Sequence, residues 1–133
     1  MKRPLAIGAA AMLVLGCATM SQKPPNLSGQ WGGRGIGLML EGGLGRVEYD
    51  CASGTIDSAI IPGPDGRFSA TGTHVPGQGG PVRVGQIFVS HRATYAGEAR
   101  DGRMTLRVAV ENGDVLGPFT LVEGAEPQLL RCL

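Results

Sequence analysis

The sequence lacks a marked excess of charge of either sign. Lysine and arginine total 12 and aspartate and glutamate total 11 among the 133 residues, which gives a net charge of +1. Ten of the 12 cations are arginines, and they are scattered along the chain rather than clustered. Nucleic-acid binding requires a basic patch or a basic excess. Nucleic acid is therefore excluded as a partner.

Long apolar runs, helical periodicity and glycine triplets are also missing. The longest mainly apolar run, residues 5–15, is shorter than the roughly 20 residues that span a bilayer as a helix. The 23 glycines follow no triplet repeat, which excludes collagen. No later segment sustains a 3.6-residue period. Glycine at this density between strand-like segments instead indicates tight turns, bulges and bends of a curled sheet.

Residues for metal binding or catalysis are few. The only histidines, His74 and His91, are 17 residues apart, and we place them on separate loops. Their spacing matches no zinc-binding pattern. Ser53 and Ser90 do not lie in a nucleophile-elbow sequence. We therefore predict no metal site, no cofactor and no enzymatic activity.

The first positive feature of the sequence is an N-terminal targeting signal. Met1-Lys2-Arg3 precedes the apolar run, and Leu13-Val14-Leu15-Gly16-Cys17 closes it. This stretch resembles the signal peptide and lipobox of bacterial lipoproteins. The resemblance implies that residues 1–16 are removed and that Cys17 carries several acyl chains, which anchor a protein stably in a membrane. The alternative is an ordinary signal peptide that is cleaved nearby, with Cys17 incidental.

The resemblance also implies a location and a domain organisation. Ala18, rather than aspartate, follows the cysteine, so we expect the outer membrane and a domain that faces the periplasm. Residues 17–27 then form the lipidated N-terminus and a linker, because residues 21–26 contain two prolines and no apolar periodicity. Residues 28–133 form one domain with a modest core.

With Cys17 assigned to lipid, two cysteines remain. In an oxidising compartment Cys51 and Cys132 have one intrachain pairing open to them. A disulfide between them would close a loop of about 82 residues and stabilise the domain by about 4–5 kcal/mol in the chain-entropy model. A reactive or metal-binding thiol pair is the alternative, although no CxxC spacing supports it.

The domain reads as a series of short strands. The clearest alternation places Met104, Leu106, Val108 and Val110 on one face of a strand. Predicted strands cover residues 30–33, 36–41, 46–51, 55–61, 67–73, 82–89, 93–100, 103–111, 116–123 and 129–132. Some eight to ten strands joined by glycine-containing turns predict an all-β fold, a small antiparallel barrel or sandwich.

Two resemblances suggest what such a barrel does. Gly29 and Trp31 match the Gly-x-Trp opening of lipocalin-like and avidin-like barrels, which implies a tryptophan-plugged end and a cavity for a small apolar ligand. Tyr49-Asp50-Cys51 and Arg131-Cys132-Leu133 resemble periplasmic inhibitors of C-type lysozyme. That family implies an eight-stranded barrel with a loop that enters the lysozyme cleft.

Over residues 29–133 the chain also resembles a group of small secreted bacterial β-proteins to which no activity is assigned. The shared residues are Trp31-Gly32-Gly33, Asp50-Cys51-Ala52-Ser53-Gly54, Asp65-Gly66-Arg67-Phe68, Gly79-Gly80-Pro81 and Cys132-Leu133. This resemblance implies a fold unit and no catalysis.

We therefore expect a lipid-anchored, non-catalytic protein-interaction or structural module of the cell envelope. A carrier of a small apolar ligand and a lysozyme-inhibitor-like protein are the alternatives. The candidate recognition loop is the glycine- and proline-rich segment 73–81, since loops carry recognition more often than strands do. Its named candidates are Thr73, His74, Gln78, Gly79 and Gly80.

Overall fold

The computed structural model describes Gly8 and residues 26–77, 84–85 and 87–130. Several predictions lie outside these residues: the signal peptide apart from Gly8, lipidation at Cys17, most of the linker, the loop residues Gln78, Gly79 and Gly80, and the disulfide partner Cys132. Among the described residues, no helix has the length and hydropathy required to cross a membrane.

The described chain forms a closed barrel of eight strands. Each strand pairs antiparallel with the next along the chain, and the first and last strands pair to complete the ring. The strands are β1 (Gly29–Gly33), β2 (Ile36–Glu41), β3 (Leu44–Tyr49), β4 (Ala52–Ile56), β5 (Arg67–Pro76), β6 (His91–Arg100), β7 (Arg103–Val110) and β8 (Val115–Glu123). The all-β prediction is confirmed, and the architecture is a barrel rather than a sandwich.

The inward face of each strand supplies the core. β7 alternates strictly between exposed and buried residues, as the sequence predicted, with Met104, Leu106, Val108 and Val110 buried. The barrel interior is filled by Trp31, Ile36, Leu38, Leu40, Val47, Tyr49, Ile56, Ile60, Phe68, Ala70, Ala93, Tyr95, Met104, Leu106, Val108, Val110 and Leu121. Small eight-stranded barrels are commonly filled by side chains in this way.

The two ends of the barrel differ. One end, which we call the closed end, contains the start of β1 and the β4–β5 connection. Ile60 of that connection is buried, and its carbonyl oxygen accepts a hydrogen bond from Leu27 N at 2.8 Å. Trp31 is buried on β1, and its Nε1 donates to Ser28 O at 3.2 Å. The opposite, open end contains the β1–β2, β3–β4, β5–β6 and β7–β8 connections.

Several predicted strands are wrong in whole or in part. The predicted strand 46–51 runs past the end of β3 at Tyr49, since Asp50 and Cys51 form the turn to β4. The described residues of segment 82–89 form no strand. β4 ends at Ile56, so residues 57–61 belong to the connection. Of the predicted strand 129–132, the described residues 129 and 130 are not in a strand, and the nearby Gln128 forms a single bridge with Arg34. The physical reason is closure: because β1 pairs with β8, the barrel has no free edge to accept further strands.

The segment after β8, residues 125–130, returns along the outside of the barrel. It crosses the cross-strand pair Gly32 and Gly37, where a side chain would collide with it. A Cβ on Gly37 would lie 2.6 Å from Pro127 Cβ. Gln128 N donates to Gly33 O at 3.0 Å, which fixes the segment beside β1. These two glycines allow the close approach of another backbone segment, a role different from the predicted turns, bulges and bends.

Candidate functional site

The open end contains a recess of about 360 Å³. Its inner wall is formed by Tyr49, His74 and Phe119, and Arg34 and Asp50 contribute opposite charges at its lining. Further lining residues are Gly35, Cys51, Ala52, Pro76, Gly77 and Leu116. The lining residues come from β3, β4, β5, β8 and the connections at this end, so the recess exists only when the barrel is closed.

Aromatic contacts give the recess its shape. The rings of Tyr49 and His74 meet edge to face with centroids 5.2 Å apart. The Tyr49 ring is tilted against that of Phe119 at 5.9 Å. Edge-to-face and tilted arrangements are favoured by the ring quadrupoles. The recess therefore has an aromatic wall rather than a charged one.

Below this wall a short hydrogen-bonded chain enters the core. Tyr49 Oη donates to Tyr95 Oη at 3.2 Å, and Tyr95 Oη donates to Thr73 O at 2.6 Å. Space for the Tyr95 hydroxyl is left by Gly54, where a Cβ would overlap it. Burial raises the pKa of both phenols, and for Tyr49 the proximity of Tyr95 raises it further. Both hydroxyls are therefore neutral and act as structural hydrogen-bonding groups.

His74 is the unusual residue of the recess. Its exposed fraction is 7%, and its Nδ1 is a buried side-chain atom without a hydrogen-bond partner among the described residues. Burial lowers the pKa of the imidazole, and the neighbouring His91 lowers it further, whereas Asp114 opposes them. A neutral imidazole needs one donor partner and one acceptor partner. His74 is thus left with unused hydrogen-bonding capacity beside a cavity.

The structure corrects the predicted positions of both histidines. Thr73 and His74 lie in β5 and not in a loop, because β5 continues to Pro76. His91 begins β6 and is the direct cross-strand partner of His74. The two histidines are therefore neighbours, although 17 residues separate them in sequence.

A signal for the buried histidine was present in the sequence. The period of two that points Phe68, Ala70 and Gly72 inward continues to His74. The predicted strand ended at Thr73 because the following glycines and prolines were assigned to one loop. The same period on β6 places His91 in phase with Ala93 and Tyr95, and the exposed fraction of its side chain is 27%.

Exposed apolar side chains concentrate at the open end. Among the described residues ten large hydrophobic side chains are exposed, and six of them belong to connections, strand starts or the C-terminal segment at this end. These six are Val84, Ile87, Phe88, Val89, Val115 and Leu130. Ile87 is 80% exposed and Val89 59%. Contiguous exposed apolar residues mark interaction sites more often than chance.

A larger concave surface of about 780 Å³ lies outside β2, β3 and β4. It is lined by exposed side chains that include Met39, Glu41, Arg46, Glu48 and Asp57. The strands place these residues on the outer face of the barrel, and no buried, unpartnered polar side chain lines it among the described residues. It is therefore a weaker candidate site than the smaller recess.

The acidic and histidine side chains at the open end make surface and structural contacts in the described part of the chain. No group of three or more His, Cys, Asp or Glu residues there could hold a metal ion. His91 Nδ1 lies 3.7 Å from Glu111 Oε1, a contact at the surface of the barrel. Asp50 Oδ1 accepts a hydrogen bond from Leu130 N at 2.6 Å and so holds the C-terminal segment.

Comparison of the chain with protein-family models, with curated proteins and with solved structures gives no significant match.

Proposed function

We propose that this protein is a lipid-anchored, non-catalytic module of the bacterial cell envelope that binds another envelope protein through the open end of its barrel. The observation that carries the proposal is the concentration of exposed apolar side chains at that end. The core of the barrel does not need these side chains, and a solvated surface does not favour them. Burial against a partner accounts for them.

The point at which the chain enters the barrel also supports the open end as the partner-binding end. Leu27 and Ser28 contact the closed end, so the chain enters the barrel there. If Cys17 carries the lipid, the linker before Leu27 reaches the barrel at the closed end. A span of about ten residues extends to at most about 35 Å. The open end is then directed away from the anchored end and is accessible to a partner.

The two alternative functions receive less support. A lipocalin-like carrier requires an open apolar cavity, whereas most of this interior is filled by side chains. A lysozyme inhibitor of the resembled family requires a recognition loop, and the first part of the candidate loop is the paired strand β5. The eight-stranded barrel is compatible with either family and does not distinguish them.

The proposal is tested by cross-linking in cells that produce the full chain. The triple variant Ile87→Ser, Phe88→Ser, Val89→Ser removes exposed apolar area at the open end. The matched control Met39→Ser, Leu44→Ser, Ile61→Ser removes a similar area elsewhere. We expect the open-end variant to lose its cross-linked envelope partner by about tenfold or more, since central apolar contacts contribute over 1 kcal/mol each.

The control should retain the partner at the wild-type level. Retention of the partner by the open-end variant, or equal loss in both variants, would contradict the proposal. A cross-link formed only between copies of this chain would also contradict it, because the proposed partner is a different protein.

A further inference from the structure

We propose that the open-end recess binds an aromatic ring that carries a hydroxyl group, and that His74 is the residue that recognises the hydroxyl. The recess has the necessary volume, about 360 Å³, which lies at the small end of the range for ligand pockets. A single ring fits such a space, whereas a large lipid or a long chain does not. This inference does not rest on the proposed protein partner.

The walls select for an aromatic ring. Tyr49 and Phe119 present rings to the recess, and Leu116 adds an aliphatic side chain. Aromatic pairs are stabilised by the interaction of their ring quadrupoles in addition to the burial of their area. Arg34 and Asp50 have opposite charges at the lining, so the recess has no net preference for an ionised ligand. An uncharged aromatic molecule is the class that matches these walls.

The requirement for a hydroxyl group on the ligand follows from the unused hydrogen-bonding capacity of His74. Its Nδ1 is buried and unpartnered among the described residues, and an unsatisfied buried polar group is costly. A hydroxyl both donates and accepts, so it can satisfy either tautomer of a neutral imidazole, whereas a carbonyl satisfies only one. Recognition at Nδ1 requires the imidazole to turn about its Cβ–Cγ torsion, which is soft in histidine, so that Nδ1 faces the recess.

The other buried polar side chains near the recess already have hydrogen-bond partners, whereas Arg34 and Asp50 at its lining are exposed to water. The Tyr49 hydroxyl donates to Tyr95, and Tyr95 donates to the Thr73 carbonyl. Asp50 accepts from Leu130 N, and His91 lies beside Glu111. Among the described residues, His74 is therefore the buried side chain with hydrogen-bonding capacity to spare for a ligand. A phenol ring can come from a free small molecule or from a tyrosine side chain of a polypeptide, and the chemistry of recognition is the same.

The test is an NMR titration of the full mature chain carrying Cys17→Ser, so that no acyl chain competes for the probe. The probes are 4-methylphenol and toluene, which share a ring and differ by the hydroxyl. We expect saturable shifts at Tyr49, His74 and Phe119. We also expect 4-methylphenol to bind about two- to tenfold more tightly than toluene, the ratio that one net hydrogen bond supplies. The ring nitrogen signals of His74 should shift with 4-methylphenol alone.

Two variants and one control separate recognition from folding. His74→Phe keeps a ring in place and should bind the two probes equally. Leu116→Trp fills the mouth from a half-buried position and should abolish binding of both, which keeps the proposal testable if the His74 variant does not fold. Met39→Ala, on the outer face, should leave both affinities unchanged. The triple variant at residues 87–89 should also bind the probes normally, so failure of the proposed partner and failure of this site are distinguishable.

A further titration with the blocked peptide acetyl-Gly-Tyr-Gly-amide identifies the source of the ring. Tighter binding of the peptide than of 4-methylphenol supports a polypeptide side chain, and binding of 4-methylphenol alone supports a free small molecule. Three results would overturn the proposal: no saturable shift with either phenol, equal affinity for toluene and 4-methylphenol, or a preference for the phenol that survives in His74→Phe.

Discussion

At the scale of single residues, the most consequential group is the buried pair of tyrosines. The side chain of Tyr95, on β6, links β3 and β5. Its hydroxyl donates to a carbonyl of β5 and accepts from Tyr49 on β3. Both phenols are buried, so each hydroxyl depends on these contacts for its hydrogen bonds. The pair therefore stabilises the open half of the barrel where the aromatic recess begins.

This arrangement predicts unequal effects of two conservative substitutions. Tyr95→Phe leaves both the Tyr49 hydroxyl and the Thr73 carbonyl without their partner and should lower the free energy of unfolding by about 1–3 kcal/mol. Tyr49→Phe leaves the Tyr95–Thr73 bond intact and should cost about 0.5–1.5 kcal/mol. Urea unfolding curves measure both. Equal effects, or a larger effect of Tyr49→Phe, would contradict a hydrogen-bonded chain that runs from Tyr49 through Tyr95 to the Thr73 carbonyl.

His74 gives the protein a pH dependence of stability. Its folded-state pKa is lowered from 6.5, so the unfolded chain binds the proton first as the pH falls. Stability should therefore be unaffected by this group above about pH 7 and should decline below pH 6.5, with a slope of at most about 1.4 kcal/mol per pH unit. His74→Phe should remove this decline, as measured by thermal unfolding between pH 7.5 and pH 5.

His91→Gln is the matched control for that measurement. It removes the neighbouring imidazole that helps to lower the pKa of His74 but leaves the burial that is the larger cause. The decline should therefore persist in weaker form. A wild-type protein that is equally stable at pH 7.5 and pH 5.5 would contradict a neutral, buried His74.

At the scale of elements, the segment after β8 shows how glycine shapes the barrel surface. Gly32 and Gly37 face each other on β1 and β2, and the segment lies directly on them. The segment ends beside Asp50, which accepts a hydrogen bond from Leu130. Leu130 is two residues before Cys132, and Asp50 directly precedes Cys51. This contact supports the proposal that the two cysteines pair.

Gly37→Ala should displace this segment. The added methyl group would lie 2.6 Å from Pro127 Cβ, closer than nonbonded carbons approach, so the segment has to move outward. We expect a loss of stability of about 1–3 kcal/mol, typical of overpacking, and faster reduction of the proposed Cys51–Cys132 disulfide by dithiothreitol. The combination with Pro127→Gly removes the colliding atoms and should recover part of both effects. If the double variant recovers neither stability nor resistance to reduction, the added methyl group does not act through Pro127.

At the scale of the whole molecule, the closed ring of strands and the proposed disulfide act on different parts of the chain. The β1–β8 pairing completes the barrel before the last residues begin. The disulfide would then hold the returning segment to the open end. In the chain-entropy model, the double variant Cys51→Ala, Cys132→Ala should lower the free energy of unfolding by up to about 4–5 kcal/mol.

The measurement is urea unfolding of the wild type and the double variant with and without a reductant. The reductant should destabilise the wild type to nearly the level of the double variant and should leave the variant unchanged. If wild type and variant unfold at the same urea concentration without reductant, the cysteines are not paired with each other.

Much of the barrel was readable from local alternation. Arg103–Val110 shows a clear alternation and Ile36–Glu41 a mainly apolar run, and the predicted and observed boundaries of both strands agree within one residue. Residues 87–89 misled the prediction because an apolar run has the composition of a strand whether or not a neighbouring edge exists to pair with it. Since the ring is already closed, these residues stay exposed and become the principal candidate surface.

The sequence by itself determined the all-β class, the inward faces of the principal strands and a short list of candidate functional residues. These depend on the period and type of neighbouring residues. Only the tertiary structure decided that the sheet closes after eight strands and that His74 and His91 are cross-strand neighbours. It also decided that His74 Nδ1 is buried without a hydrogen-bond partner among the described residues. These properties depend on strand pairs that are distant in sequence. Register and closure are set by the packing of the whole barrel, and no local pattern encodes them.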